Sequence, residues 1–198
     1  MTSEEIIKLK EVTGLDELPD WTFEKVKYFH EIKDAYFYQF LDEEEFFDVY
    51  VDLKRVTGST YFGAYNGFKW GEMRIYLKRR NVTTPEQALR EALNPTQGDW
   101  DKIRFLKFGQ DYLIHNGHHR TCILKFAKFN QIPATVIEYK IDNELLSYYN
   151  ILKKEFEIDL DFDENLEPHK ISHLNWELRK EGISIVFFSK SSIKSFMD

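Results

Sequence analysis

The spacing of apolar positions divides the chain into short amphipathic segments. Residues 1–48 read as helical: Phe23, Val26, Phe29, Phe37 and Phe40 keep mostly helical spacing, and Thr22 is a partial cap because Lys25 stands where a capping box wants an acid or amide. The acidic run Asp42-Glu43-Glu44-Glu45 reads as a solvated turn or a helix start. From Val49 to Thr57 the pattern changes to alternation, with Val49, Val51 and Leu53 on one parity, the period of a half-buried strand. A glycine-bearing stretch follows from Gly58 to Gly67, then a helix over 68–80 with Trp70, Met73 and Leu77 on one side. Thr84-Pro85-Glu86-Gln87 begins another helix with a cap, a first-turn proline and an acid, and Asn94-Pro95 ends it.

Residues 103–116 read as a hairpin with Gly109-Gln110-Asp111 at its turn. Thr121 to Phe129 is a helix with Ile123, Leu124, Phe126 and Ala127 toward a core, and Asn130 takes the left-handed position at its end. Pro133 stops that helix, and Ala134 to Tyr139 is a strand, so a crossover unit is expected here. Beyond it, 143–157 and 168–180 read as helices, Gly182 as a break, 183–188 as β-prone, and the end as a polar Ser/Lys tail holding Lys190 and Lys194. The expected fold class is α+β, a small mixed sheet with packed helices. Its divisions are a helical extension at 1–48, a core at 49–140 and a C-terminal extension at 141–198.

Composition narrows the function. At 198 residues and 42% apolar composition, the chain is long enough for a real core without staples. The single cysteine excludes a disulfide framework and suits a reducing cytoplasm. No apolar run approaches membrane-spanning length, and the acidic start Thr2-Ser3-Glu4-Glu5 is the reverse of a signal peptide, so the expected setting is cytoplasmic. Net charge is −7, which disfavours DNA as a partner, since non-specific affinity rests on neutralising phosphates. The aromatic share of 16% reads first as a core of large rings.

The stretch with the most chemistry is Ile114-His115-Asn116-Gly117-His118-His119-Arg120-Thr121. A strand ends, a glycine permits a sharp bend, and a helix starts at once. Amides at a helix start, helped by the helix dipole, make an anion site. Gly117 lets a ligand or backbone approach closely, Arg120 offers a planar charged fork, His118 and His119 supply titratable donors, and Thr121 adds a hydroxyl. These types together read as a phosphate cradle. The competing reading is a tight turn in which Arg120 pairs with an acid. A second cluster, His169, His173 and Glu177, has helical spacing that a transition metal could use, although the HExxH form is absent.

The run Tyr112-Leu113-Ile114-His115-Asn116-Gly117-His118-His119-Arg120, a following helix, and then Gln131-Ile132-Pro133-Ala134-Thr135-Val136 resemble the ParB/sulfiredoxin superfamily. The resemblance implies a ParB/sulfiredoxin-like core and nucleotide handling: ATP or another nucleoside triphosphate, with Mg2+. It implies that Gly117, His118, His119, Arg120 and Thr121, with Asn116 beside them, hold the phosphates. Three departures stand out. His118 occupies the position of the sulfiredoxin cysteine, which argues against sulfinic-acid reduction. Asn116 stands where many relatives have Asp. Residues 141–198 show no helix-turn-helix DNA reader. If phosphoryl transfer occurs, His118 or His119 is the candidate catalytic base, and Asp52, Glu72 and Asp111 are candidate acid partners or Mg2+ ligands, with Lys69 and Arg74 as candidate closing cations. The expected function is a nucleotide-binding phosphotransferase or nucleotide hydrolase acting on a small-molecule acceptor. The alternative is a non-catalytic nucleotide-gated or DNA-associated module, for which a homodimer is allowed. A third reading is a structural relic that keeps the turn only for folding.

Overall fold

The structure, a computed structural model, describes residues 1–60, 67–77, 84–95, 98–160 and 175–198, with the main chain alone at 39–44, 99 and 100. Among the described residues the fold is α+β, with one five-stranded mixed sheet and one three-stranded sheet. The large sheet has the order β1-β5-β3-β4-β2, from β1 (Tyr38–Asp52), β2 (Val56–Ser59), β3 (Arg104–Phe108), β4 (Asp111–Asn116) and β5 (Gln131–Ile141). Neighbours alternate in sense: β1/β5 and β3/β4 are antiparallel, β5/β3 and β4/β2 parallel. The expected hairpin is therefore present; the strand–helix–strand run β4-α4-β5, with α4 at His118–Phe126, does not form the expected parallel crossover, because β5 runs antiparallel to β4 and pairs in parallel with β3, which lies between them. The boundary drawn at 48/49 falls inside β1.

The two faces of this sheet carry separate cores. On one, Val51, Ile103, Phe105, Ile114, Ile132 and Val136 pack with residues of α1 (Ser3–Thr13), α2 (Trp70–Tyr76), α3 (Pro85–Leu93) and α4. On the other, Leu106, Phe108, Leu113 and Tyr139 pack against Phe29, Ile32 and Ala35. α3 has its expected boundaries: Thr84 accepts from the Gln87 amide, the Gln87 side chain accepts from the Thr84 amide, and Pro85 fills the first turn. α4 starts at His118, three residues before the expected Thr121, and Lys128 rather than Asn130 takes the left-handed conformation after it. Pro133 lies within β5, where β3 has not yet begun, so its missing N–H costs no ladder bond on that side.

The single helix expected from Thr22 to Phe40 does not form. Three 3-10 turns, Asp20–Phe23, Phe29–Glu31 and Ala35–Phe37, lead into β1, and the acidic run 42–45 is part of that strand. Between the turns the backbone extends along β2: Lys27 donates to the Thr57 carbonyl and accepts from the Ser59 amide. An edge strand is thereby covered. Gly58 makes this possible, because a Cβ there would collide with the Lys27 carbonyl.

The C-terminal part is a meander of β6 (Glu157–Leu160), β7 (Trp176–Lys180) and β8 (Ile183–Phe187) with α5 (Asn143–Leu152) and α6 (Lys190–Met197). The helix expected over 168–180 is overturned at its described end: Trp176 and Leu178 are buried while Glu177 and Arg179 point outward, and left-handed Glu181 and Gly182 close a two-residue hairpin. Residues 168–174 lie outside the described residues. The expected polar tail is instead α6, capped by Ser189 and anchored by buried Ile193, and Lys190 pairs with Asp142 and Glu144 at 2.7 and 2.8 Å. Among the described residues no helix is long and apolar enough to cross a membrane.

The Lys27–Gly58 approach gives a direct check. Gly58→Ala forces β2 away from residues 25–27 and lowers stability by about 2–3 kcal/mol in a urea melt, the cost of overpacking a site that cannot relax.

Candidate functional site

The candidate site is the junction of β4 and α4. β4 ends at Asn116, whose side-chain amide donates to the Lys102 carbonyl at 2.8 Å and fixes the strand end to the residue preceding Ile103. Gly117 is left-handed at φ 86, and a Cβ there would stand 2.8 Å from Ile103 Cγ1. Both the conformation and the space therefore demand glycine. Gly117 is the N-cap of α4 and offers no side-chain cap, so the first turn of α4 presents its amides at the bend with the positive end of the helix dipole. The strand–glycine–helix geometry read from the sequence is present.

The side chains around the bend go to different places. His118 Nε2 lies 2.8 Å from Ser59 Oγ, and His115 Nδ1 lies 3.2 Å from Thr60 Oγ1. The end of β2 thus sets two hydroxyls against two imidazoles. A hydroxyl hydrogen-bonded to an imidazole is the arrangement that moves protons in acyl and phosphoryl chemistry. His119 is half-buried. Thr121 is fully buried, and its Oγ1 has no hydrogen-bond partner.

Arg120 turns inward. Its side chain is 7% exposed; one guanidinium nitrogen lies 3.3 Å from Asp101 and the other donates to the Glu91 carbonyl at 3.4 Å. The guanidinium ties α4 to the end of α3 and to the 3-10 turn Gly98–Asp101, and the acid-paired alternative is the one observed for this side chain.

The proposed acid partners are elsewhere. Asp111 is at the opposite end of β4, bonded to Lys27 and Thr57; Asp52 accepts from the Lys54 amide; Glu72 pairs with the Met1 amine and accepts from the Lys69 amide. Arg74 donates to the Val12 carbonyl on α1. No group of three or more metal-ligating side chains occurs among the described residues. The three carboxylates named above stand away from the turn and do not fit as ligands of a Mg2+ held there. Glu177 bonds Arg179 and Ser184 on the three-stranded sheet, and those partners hold its carboxyl down to about 2; its helical pairing with His173 is overturned, and His169 and His173 lie outside the described residues. Cys122 is fully buried, and desolvation pushes its thiol up to about 12, so no thiolate is available for sulfur chemistry.

The sequence gives no hint of Lys125. It lies near the end of α4, donates to the carbonyls of Leu53 and Val56 at 2.7 and 3.0 Å, and sits 4.9 and 4.8 Å from the rings of Trp21 and Trp70. These residues line a cavity of about 310 Å3. Burial brings the Lys125 ammonium down to about 8. No family model matches the chain, and no curated protein or solved structure matches it.

Two predictions arise. Arg120→Ala removes the ion pair to Asp101 and the hydrogen bond to the Glu91 carbonyl and lowers stability by about 2–3 kcal/mol in denaturant melts. For Lys125, the folded value of about 8 lies below the unfolded value of roughly 10.4, so the unfolded chain binds the extra proton between them. Stability at this group therefore rises as pH goes from about 8 to about 10, and Lys125→Met flattens that rise in melts taken across the range.

Proposed function

We propose that the chain binds a nucleoside triphosphate at the β4–α4 junction within a ParB/sulfiredoxin-like core, and uses it in phosphoryl transfer to a small acceptor or in its hydrolysis. What carries the reading is Gly117: a left-handed residue with no space for a side chain, placed between a strand end and an uncapped helix start. Such a bend ends the strand directly at a helix start, where backbone amides and the positive end of the helix dipole favour an anion. The order of hairpin, bend, helix and Ile-Pro strand, with β5 returning parallel to β3, supports the core assignment.

Within this reading the residues divide by what they touch. The first-turn backbone of His118, His119 and Arg120 faces the phosphates, and Asn116 shapes the approach through its bond to Lys102. The Arg120 side chain holds α4 in place rather than the ligand. His118 is the candidate catalytic base, with Ser59 orienting its ring through the 2.8 Å contact. His119 is the candidate second donor at the helix start.

Calorimetric titration of ATP, CTP, GTP and UTP, each with and without Mg2+, tests this. At least one triphosphate is expected to bind, and His118→Gln to keep that binding while lowering turnover at least tenfold. Turnover measured as released or transferred phosphate separates the enzyme from the non-catalytic module. Flat heats for all four nucleotides in both conditions overturn the reading and leave the junction a folding device only.

A further inference from the structure

Two cationic side chains are buried among the described residues, Arg120 and Lys125, at 6% and 8% exposure. Arg120 has a carboxylate, Asp101, at 3.3 Å. Lys125 has no such counter-ion among the described residues. Its ammonium donates to the Leu53 and Val56 carbonyls and stands 4.9 and 4.8 Å from the rings of Trp21 and Trp70. A buried charge is ordinarily paired with an opposite one. Two carbonyls take two of the three ammonium hydrogens, and among the described residues no oxygen takes the third.

All four residues around the ammonium line the cavity of about 310 Å3, and so does Lys125 itself, so the charge stands at the cavity wall. Trp21, Phe129 and Pro19, each half-buried, give that cavity flat apolar surfaces. Its other charged lining residues, Lys54, Lys128 and Glu24, are exposed, and the two lysines outnumber the acid. Lys128 is held left-handed at φ 61 just after α4, where glycine is the usual residue, so the fold carries strain at a lining position.

We propose that this cavity binds a small organic anion, a monocarboxylate with a flat apolar body, whose carboxylate accepts from Lys125 while its ring lies against Trp21 and Phe129. An apolar pocket with one buried charge is the usual layout of a small-molecule site, and the volume is at the small end for such sites. One buried ammonium matches one carboxylate, and Glu24 opposes a second negative charge. The site lies at the far end of α4 from Gly117 and is independent of a nucleotide there. The titratable groups about Lys125 are Glu24, Asp52, Lys54, Lys128 and the buried Cys122 thiol. Glu24 and Asp52 favour the ammonium, but burial outweighs them and brings it down to about 8. A bound carboxylate favours the ammonium too, so its affinity falls as pH rises through that value.

Calorimetry on the full chain with benzoate and indole-3-carboxylate, each against its neutral amide, tests this. At least one acid is expected to bind at least tenfold more tightly than its amide at pH 7. Its affinity should fall about tenfold between pH 7 and pH 9 as Lys125 loses its proton. Lys125→Met should abolish the preference for the acid, and Trp21→Leu should weaken acid and amide alike, by about threefold to tenfold. If Lys125→Met does not fold, the acid–amide comparison and the pH series on the unaltered chain decide. Equal binding of acid and amide, an affinity flat from pH 7 to pH 9, a preference that survives in folded Lys125→Met, or no binding of either acid overturns the site. Inorganic phosphate bound as tightly as the acids overturns the flat-bodied ligand.

Discussion

The contact between Gly117 and Ile103 is the constraint on which the middle of the molecule depends. Ile103 is buried, immediately precedes β3, and occupies the space a side chain at position 117 would need. Because residue 117 is a left-handed glycine, β4 turns into α4 within a single residue while Ile103 packs against the bend. α4 then lies over the sheet, and the chain returns along β5 in parallel with β3. Two cations hold the helix in that position. Arg120 binds Asp101 and the Glu91 carbonyl near its start, and Lys125 binds the Leu53 and Val56 carbonyls near its end. Burial brings the Lys125 ammonium down to about 8.

What could be read from the sequence depended on how local the determining interactions are. α3 is written in four adjacent residues, Thr84 to Gln87, whose cap bonds are made within the same turn. The β3–β4 hairpin is likewise set by its own alternation and by Gly109. The segment 22–40 is different. Val26, Phe29 and Phe37 are spaced like one helical stripe, yet they serve three separate cores: Val26 the helix side of the large sheet, Phe29 its opposite face, Phe37 the C-terminal meander. One straight helix cannot reach all three, so packing overrides the periodic pattern. Residue 177 shows the same ambiguity at shorter range. Its spacing from His173 suits a helix, but the burial of Trp176 and Leu178 on either side decides for a strand.

The site was legible in its backbone and not in its side-chain directions. Strand, glycine and helix start follow from neighbouring residue types. The direction of Arg120 follows from Asp101, which becomes a neighbour only after α3 and the 98–101 turn have docked. The pairing of His118 with Ser59 joins residues from different strands and helices, brought together because β2 lies parallel to β4. Lys125 carries no sequence mark at all: a lysine near a helix end is ordinarily solvated, and only the docking of Trp21 and Trp70 over it removes the water.

The two clamps on α4 bear on how such a site can work. A helix fixed near both ends presents its first turn in a set position, so an anion meets amides that are already oriented and pays little reorganisation. That favours a preorganised binding or catalytic centre over a device in which α4 itself moves with the ligand. A gated module built on this chain has to move something that the clamps do not hold. Of the elements touching the site, β2 is a four-residue edge strand, joined to β4 on one side and to the extended Lys27 backbone on the other; Lys125 holds its first residue, Val56, and its far end at Ser59 lies beyond that clamp. Ser59 is its last residue, so any displacement of β2 also breaks the contact that orients His118. Proton transfer by His118 and coverage of the β2 edge by residues 25–27 are therefore one structural question, and Gly58, which permits the close approach of Lys27, sits at the junction between them.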